Sequence, residues 1–194
     1  MKIILASKSG VRKKILEDNN VKCTVVPSNI DEDQVKDSLL AVGANPMLIS
    51  KNLAELKSVK ISNKFQNQLV LGADSVISLN NELVNKPRTR EEGLEILNKL
   101  NGSKHYLITS VCISKNGAMI WNHSDSSELK MKNLSESELS SYLAKIETKT
   151  LVDYGVYQIE ADGLDLFEYI KGDRDSIMGL PIKDIINYIK QYDK

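Results

Sequence analysis

Two spacings of apolar residues alternate along this chain. Short runs of adjacent apolar residues predict buried strands, and stretches in which they recur every three or four positions predict helices. Met1 to Ala6 is a run of the first kind, and Ser7-Lys8-Ser9-Gly10 follows it as a turn whose hydroxyls can cap a helix reaching about Asp18. Lys22 to Pro27 reads as a second strand, opening onto the acidic loop Ser28-Asn29-Ile30-Asp31-Glu32-Asp33. From about Asn45 to Ile61 the spacing is helical, with Pro46 near the start and Ile49, Leu53 and Leu56 on one face.

The stretch from Leu69 to Pro87 breaks the alternation. It begins as an uninterrupted apolar run, the pattern of a strand buried on both faces, yet it holds Asp74 in its middle. A carboxylate there needs a cation, a metal ion or hydrogen-bond donors nearby. The run breaks at Asn80-Asn81, a turn signal, resumes at Leu83-Val84 and ends at Lys86-Pro87, so it predicts a hairpin presenting an acid and then a base.

Thr89-Arg90-Glu91-Glu92 starts a helix that stops at Asn101-Gly102. His105 to Ser114, the turn Asn116-Gly117 and a return strand from Ala118 to about Leu134 predict a second hairpin. Ser135-Glu136-Ser137-Glu138 opens a helix to about Ile146, and four glycines then punctuate short elements. A last helix after Pro181 carries the apolar stripe Ile182, Ile185, Ile186 and Ile189. Mixed elements with two hairpins predict an α/β or α+β fold around a long mixed sheet, in one domain over 1–194.

Composition narrows the function. The 194 residues have 41% hydrophobic and 27% charged content with zero formal net charge, so nothing global favours a nucleic-acid polymer or an anionic membrane, and any anion site must be local. No stretch approaches a membrane span, and no secretory pattern follows the first residues, which predicts a cytoplasmic protein. Cys23 and Cys112 lack metal or redox spacing and read as small core residues; His105 and His123 read as structural and not as zinc ligands.

Local chemistry leaves alternatives open. The strand, serine turn and basic helix start at 1–14 form either a phosphate cradle, with Arg12 adding a guanidinium, or a capped surface helix. The acidic loop at 28–33 either attracts a hard cation or is solvated. Lys57 lies near the edge of its helix's apolar face, where a surface lysine with a buried stem is the common arrangement.

Seven ordered segments together resemble the Maf family of nucleoside triphosphate pyrophosphatases. LASKSGVRKKIL at 5–16 is similar to that family's LASxSPRRxELL, Glu32 matches its acidic position, and LAELK at 53–57 its LAxxK helix. GADSV at 72–76, followed by Lys86-Pro87, resembles GADTV and KP; LNGSKHYLITSV at 100–111 resembles LSGxxHxVxTxV. GVYQIE at 155–160 and MGLPI at 178–182 resemble GxYxIQ and VGLPL. The departures are Val11 for the first of two arginines, Lys14 for a helix glutamate, Asp153 for a lysine, and Glu160 where the pyrimidine-preferring branch has glutamine.

The resemblance implies an elongated mixed β-sheet flanked by helices, with two lobes around a central cleft. It implies hydrolysis between the α and β phosphates, giving a monophosphate and pyrophosphate, in a house-cleaning role. Ser7, Arg12, Lys57, Lys86 and Glu160 are then expected to bind the substrate. Glu32 and Asp74 are expected to hold a divalent cation, Mg2+ or Mn2+, or its bound water, with Asp74 as general base toward that water. A carboxylate at Glu160 accepts hydrogen bonds from guanine N1–H and its amine, so the expected substrates are guanine-type or broad. The family also implies a homodimer. A relative of the inosine triphosphate pyrophosphatases is one rival, but the Ser-Gly-Asn opening loop of those enzymes is absent. The other is a nucleotide-binding regulator of septation or cell shape without significant catalysis.

Overall fold

A computed structural model describes residues 2–159 and 162–192. Its strands are β1 (Lys2–Leu5), β2 (Lys22–Val25), β3 (Val70–Leu79), β4 (Glu82–Val84), β5 (Lys104–Lys115), β6 (Ala118–Met131) and β7 (Phe167–Lys171). Its helices are α1 (Gly10–Asp18), α2 (Glu32–Ala41), α3 (Pro46–Ser62), α4 (Arg90–Leu100), α5 (Glu136–Ala144), α6 (Thr148–Tyr154), α7 (Arg174–Ile177) and α8 (Ile182–Tyr192). The strands form one mixed sheet in the order β2-β1-β3-β5-β6-β7, with β4 added to β3. β1 pairs in parallel with both β2 and β3, whereas β3–β4 and β6–β7 are antiparallel. The mixed α/β sheet expected from the pattern is therefore what forms.

Residue contacts group the chain into two compact units. One comprises Met1–Val76, Ile108–Ser126 and Asp173–Lys194; the other comprises Ile77–Leu107 and Ser127–Gly172. In the first unit β1 and β3 are buried on both faces, which explains their unbroken apolar runs. Ile3 and Leu5 of β1 and Leu69, Leu71 and Ala73 along β3 join Ile15 and Leu16 of α1 and Ile182, Ile185 and Ile189 of α8 in one cluster. Ile4 and Ala6, with Val70 and Ile61, fill the opposite side. Val11 packs against the first cluster, so the residue standing where the family pattern has an arginine contributes apolar surface.

In the second unit, Asn80 and Asn81 both take the left-handed conformation (φ 53° and 65°) and close the two-residue loop between Leu79 and Glu82. Arg90 at the head of α4 donates to the carbonyls of Leu143 and Ile146, capping the end of α5. Lys86, just beyond β4, donates to the backbone carbonyl of Asp153 at 2.8 Å.

Several elements differ from the pattern's prediction. The acidic stretch is not a loop throughout, because Asp31 caps α2 through the Gln34 N–H, and Glu32 and Asp33 occupy the helix's first turn. Two acids suit the positive end of the helix dipole, and since α2 buries no residue it leaves no apolar stripe to read. Leu56 is 42% exposed; the buried face of α3 runs through Ile49, Ser50, Leu53, Ala54, Lys57, Ser58 and Ile61. β6 ends at Met131, short of Leu134, while α6 ends just before Gly155 and β7 and α7 lie between the later glycines.

Candidate active site

Strand parity places Asp74. Leu69, Leu71 and Ala73 point into the cluster shared with α1 and α8, so Val70, Gly72 and Asp74 point toward the opposite face, where α3 packs. That packing is close enough to exclude a side chain at Gly72. A Cβ there would lie 2.2 Å from the Ala54 carbonyl oxygen and 2.8 Å from the Ser58 nitrogen. The small residues Ser50, Ala54 and Ser58 let the helix descend onto the strand. Ser50 Oγ then donates to the Asp74 carbonyl at 3.2 Å.

Two turns further along α3 from Ser50, Lys57 comes level with the Asp74 carboxylate. Its ammonium donates to Asp74 Oδ1 at 2.8 Å and forms an ion pair with Glu32 Oε1 at 2.8 Å. Lys57 and Asp74 are 6% and 5% exposed, so water screens this pair poorly. Removing one member of such a buried pair costs about 3–5 kcal/mol. Glu32 is half-exposed and reaches Lys57 from the first turn of α2. Asp74 Oδ2 is buried and has no hydrogen-bond partner.

On the other side of β3, Arg12 grips the residues flanking Asp74. Ser9 caps α1 by accepting from the Arg12 N–H, which sets the arginine in the first turn. Its Nη1 donates to Ala73 O at 3.0 Å and to Ser7 Oγ at 3.2 Å, and Nη2 donates to Ser75 Oγ at 3.1 Å. Nε donates to Gly179 O at 2.9 Å. Gly179 is left-handed (φ +98°), and a Cβ there would come within 3.1 Å of Arg12 Nε, so this contact calls for glycine. Ser75 Oγ also lies 2.9 Å from Thr109 Oγ1. Ser7 Oγ accepts from both the Ser9 N–H and Arg12, so its own O–H is left to donate elsewhere.

The first unit therefore contains Ser7 from the loop after β1, Arg12 of α1, Glu32 of α2, Lys57 of α3 and Asp74 of β3. Lys86 belongs to the second unit, and Glu160 lies outside the described residues. Sequence reasoning missed Ser50, Ser75, Thr109 and Gly179. Ser75 and Gly179 sat inside motifs already singled out, GADSV and MGLPI, whereas Ser50 carries no signal beyond being a small residue on a helix.

The donor set allows a test for a divalent cation. Among the described residues no three His, Cys, Asp or Glu side chains gather as a metal cluster. Asp74 and Glu32 nonetheless offer two carboxylates about one point, with the bare Oδ2 in addition. Mg2+ is commonly held by one or two carboxylates, waters and substrate phosphates, so this pair fits a cation that a phosphate ligand helps to coordinate.

The family described as "Maf-like protein" matches residues 2–192. The chain belongs to that family. This Maf-like chain is 60% identical over 188 residues to the nucleoside triphosphate pyrophosphatase of Pelagibacter ubique, covering 97% of this chain and 96% of that one. It is 32% identical over 190 residues to the 7-methyl-GTP pyrophosphatase of Rhizobium etli, covering 98% and 96%. A HAM1 protein from Coxiella burnetii aligns at 16% identity over 69% of the Maf-like chain and 74% of its own, with a TM-score of 0.47, a likeness too low to rest an assignment on.

Proposed function

We propose that this chain is a hydrolase that cleaves nucleoside triphosphates between the α and β phosphates, releasing the nucleoside monophosphate and pyrophosphate. The observation that carries the reading is the buried Lys57–Asp74 pair with Glu32 at its rim, in a chain whose full-length relatives carry pyrophosphatase names. Asp74 is the general base. In the free protein Lys57 holds Oδ1 and Ser50 the backbone carbonyl, and the unpartnered Oδ2 is the oxygen assigned to take a proton from the attacking water. Ser7 contributes a hydroxyl donor to a phosphate oxygen, and Arg12 positions it while adding positive charge. Lys57 supplies further charge to the polyphosphate, and the motif match alone assigns Lys86 to phosphate binding.

Asp74 and Glu32 would hold Mg2+ or Mn2+, which would supply neutralisation of developing charge on the phosphates. The motif match assigns Glu160 to base recognition; a carboxylate accepts from guanine N1–H and its amine but meets repelling carbonyls on uracil, which favours guanine-type substrates. The experiment is pyrophosphate release from a panel of GTP, 7-methyl-GTP, UTP and dTTP, with and without Mg2+. Asp74→Asn is expected to lower kcat about 10²- to 10⁴-fold. Wild-type turnover by Asp74→Asn removes Asp74 as base, preference for UTP and dTTP removes the guanine assignment, and no pyrophosphate from any nucleotide favours a nucleotide-binding regulator of septation.

A further inference from the structure

We propose that Lys57 is a resident counter-ion, which occupies the cation position between Asp74 and Glu32 until a metal-bound nucleotide displaces it onto the phosphates. The inference rests on the pyrophosphatase reading for the identity of the anion that receives the ammonium. Its physical basis is independent of turnover.

The geometry starts from the ammonium. Nζ stands 2.8 Å from Asp74 Oδ1 and 2.8 Å from Glu32 Oε1, so a single charge links both acids that could hold a metal. The cluster of three carries a net charge of −1, and two of its members are nearly dry. A divalent ion added to it would stand beside an ammonium, and in a poorly solvated site that repulsion is strong. Metal and ammonium are therefore alternatives on the same pair of carboxylates.

The backbone does not make room by sliding. α3 is seated on β3 through Gly72 with no space for even a methyl group, so Lys57 and Asp74 stay level with each other. What can move is the lysine side chain, whose four-carbon stem and point charge let it reach a new acceptor without a fixed geometry. Two carboxylates also leave most of a six-oxygen shell to waters and phosphate. A triphosphate meets both needs, since it brings oxygens for the metal and acceptors for the displaced ammonium. Lys57 thus serves as carboxylate partner in the free protein and phosphate partner in the complex.

The test titrates Mn2+ into the full chain without nucleotide, reading unbound Mn2+ by its EPR signal. Wild type is expected to bind weakly, because the ammonium occupies both carboxylates. Lys57→Met is expected to bind at least about tenfold more tightly. Lys57→Arg keeps the charge and should resemble wild type, while Glu32→Gln combined with Lys57→Met should lose the gain, locating the metal on the carboxylates. A methylene-bridged, non-hydrolysable nucleoside triphosphate should make wild type retain more Mn2+ than the analogue binds alone.

If Lys57→Met does not fold, as judged by circular dichroism, Lys57→Gln replaces it. The wild-type arms need no variant at position 57. Wild type binding Mn2+ as tightly as the neutral variant overturns the proposal. So does a folded neutral variant with no gain. These readings involve no catalysis, so a chain that releases no pyrophosphate but shows the Mn2+ contrast refutes the pyrophosphatase reading alone.

Discussion

The His105 imidazole has no exposed surface, and Nε2 lies 3.0 Å from the hydroxyl of Tyr157. Burial pushes its pKa down from 6.5 to about 4, against a smaller upward push from the Ser103 backbone. The same burial raises the Tyr157 phenol, so neither group is charged at neutral pH. Between pH 6.5 and 4 the unfolded chain takes up a proton at this histidine that the folded chain refuses. His105 therefore favours the native state fully above pH 6.5, and that contribution falls away with acidification, by about 3 kcal/mol at the low end. Urea unfolding across this window should show the decline in wild type. A folded His105→Asn should lose that share of the slope, and an unchanged slope would reassign it to other groups. The residue's structural character was legible from its lack of a metal-spaced partner in a chain with two histidines. Its acid sensitivity was not, because desolvation depends on Tyr157 and Phe167, which approach from more than fifty positions away.

At the scale of elements, the contact between α3 and β3 decides where the chemistry sits. An alanine at Gly72 meets backbone atoms of the helix at 2.2 and 2.8 Å, and backbone cannot yield as a side-chain tip can. Gly72→Ala should lower stability by about 1–3 kcal/mol or more by forcing the helix outward. Because that shift also lifts Lys57 from Asp74, kcat should fall with stability. Denaturant titration and pyrophosphate release measure the two together, and full activity at reduced stability would separate the helix seat from the site. The apolar spacing of α3 pointed to a face through Leu56, but the helix buries small and polar residues beside its leucines. Periodicity of apolar residues cannot report a face that is partly serine and lysine. α2 went unread for a related reason, since none of its residues is buried.

Across the whole molecule, the first unit is assembled from three separated stretches of chain. Ile182, Ile185 and Ile189 of α8 complete a cluster begun by Ile3 and Leu5, nearly the whole length of the chain away. Trp121, the one tryptophan, stacks on Tyr188 of the same helix at 5.0 Å and reports on this closure. A chain ending before Pro181 should not bury that cluster, and its tryptophan emission should shift to the position of the denatured protein. Native emission with cooperative unfolding would show that α8 is dispensable.

The sequence by itself determined what local rules control. The helix starts follow from Ser9, Asn45, Thr89 and Ser135, the two-residue turn from its adjacent asparagines, and the mixed sheet from the alternation of apolar runs with helical spacing. It also singled out Asp74, because an acid in a strand buried on both faces has to be compensated. Only the tertiary structure decided by what. The compensation is Lys57 with Glu32 at the rim, and the loop carrying Gly179 returns to hold Arg12 beside the same strand. Strand parity restricts which side of the sheet a residue faces, but the partner waiting there depends on how closely a helix can approach. That distance is set by the absence of a side chain at Gly72, a property of two elements in contact that neither stretch of sequence contains alone.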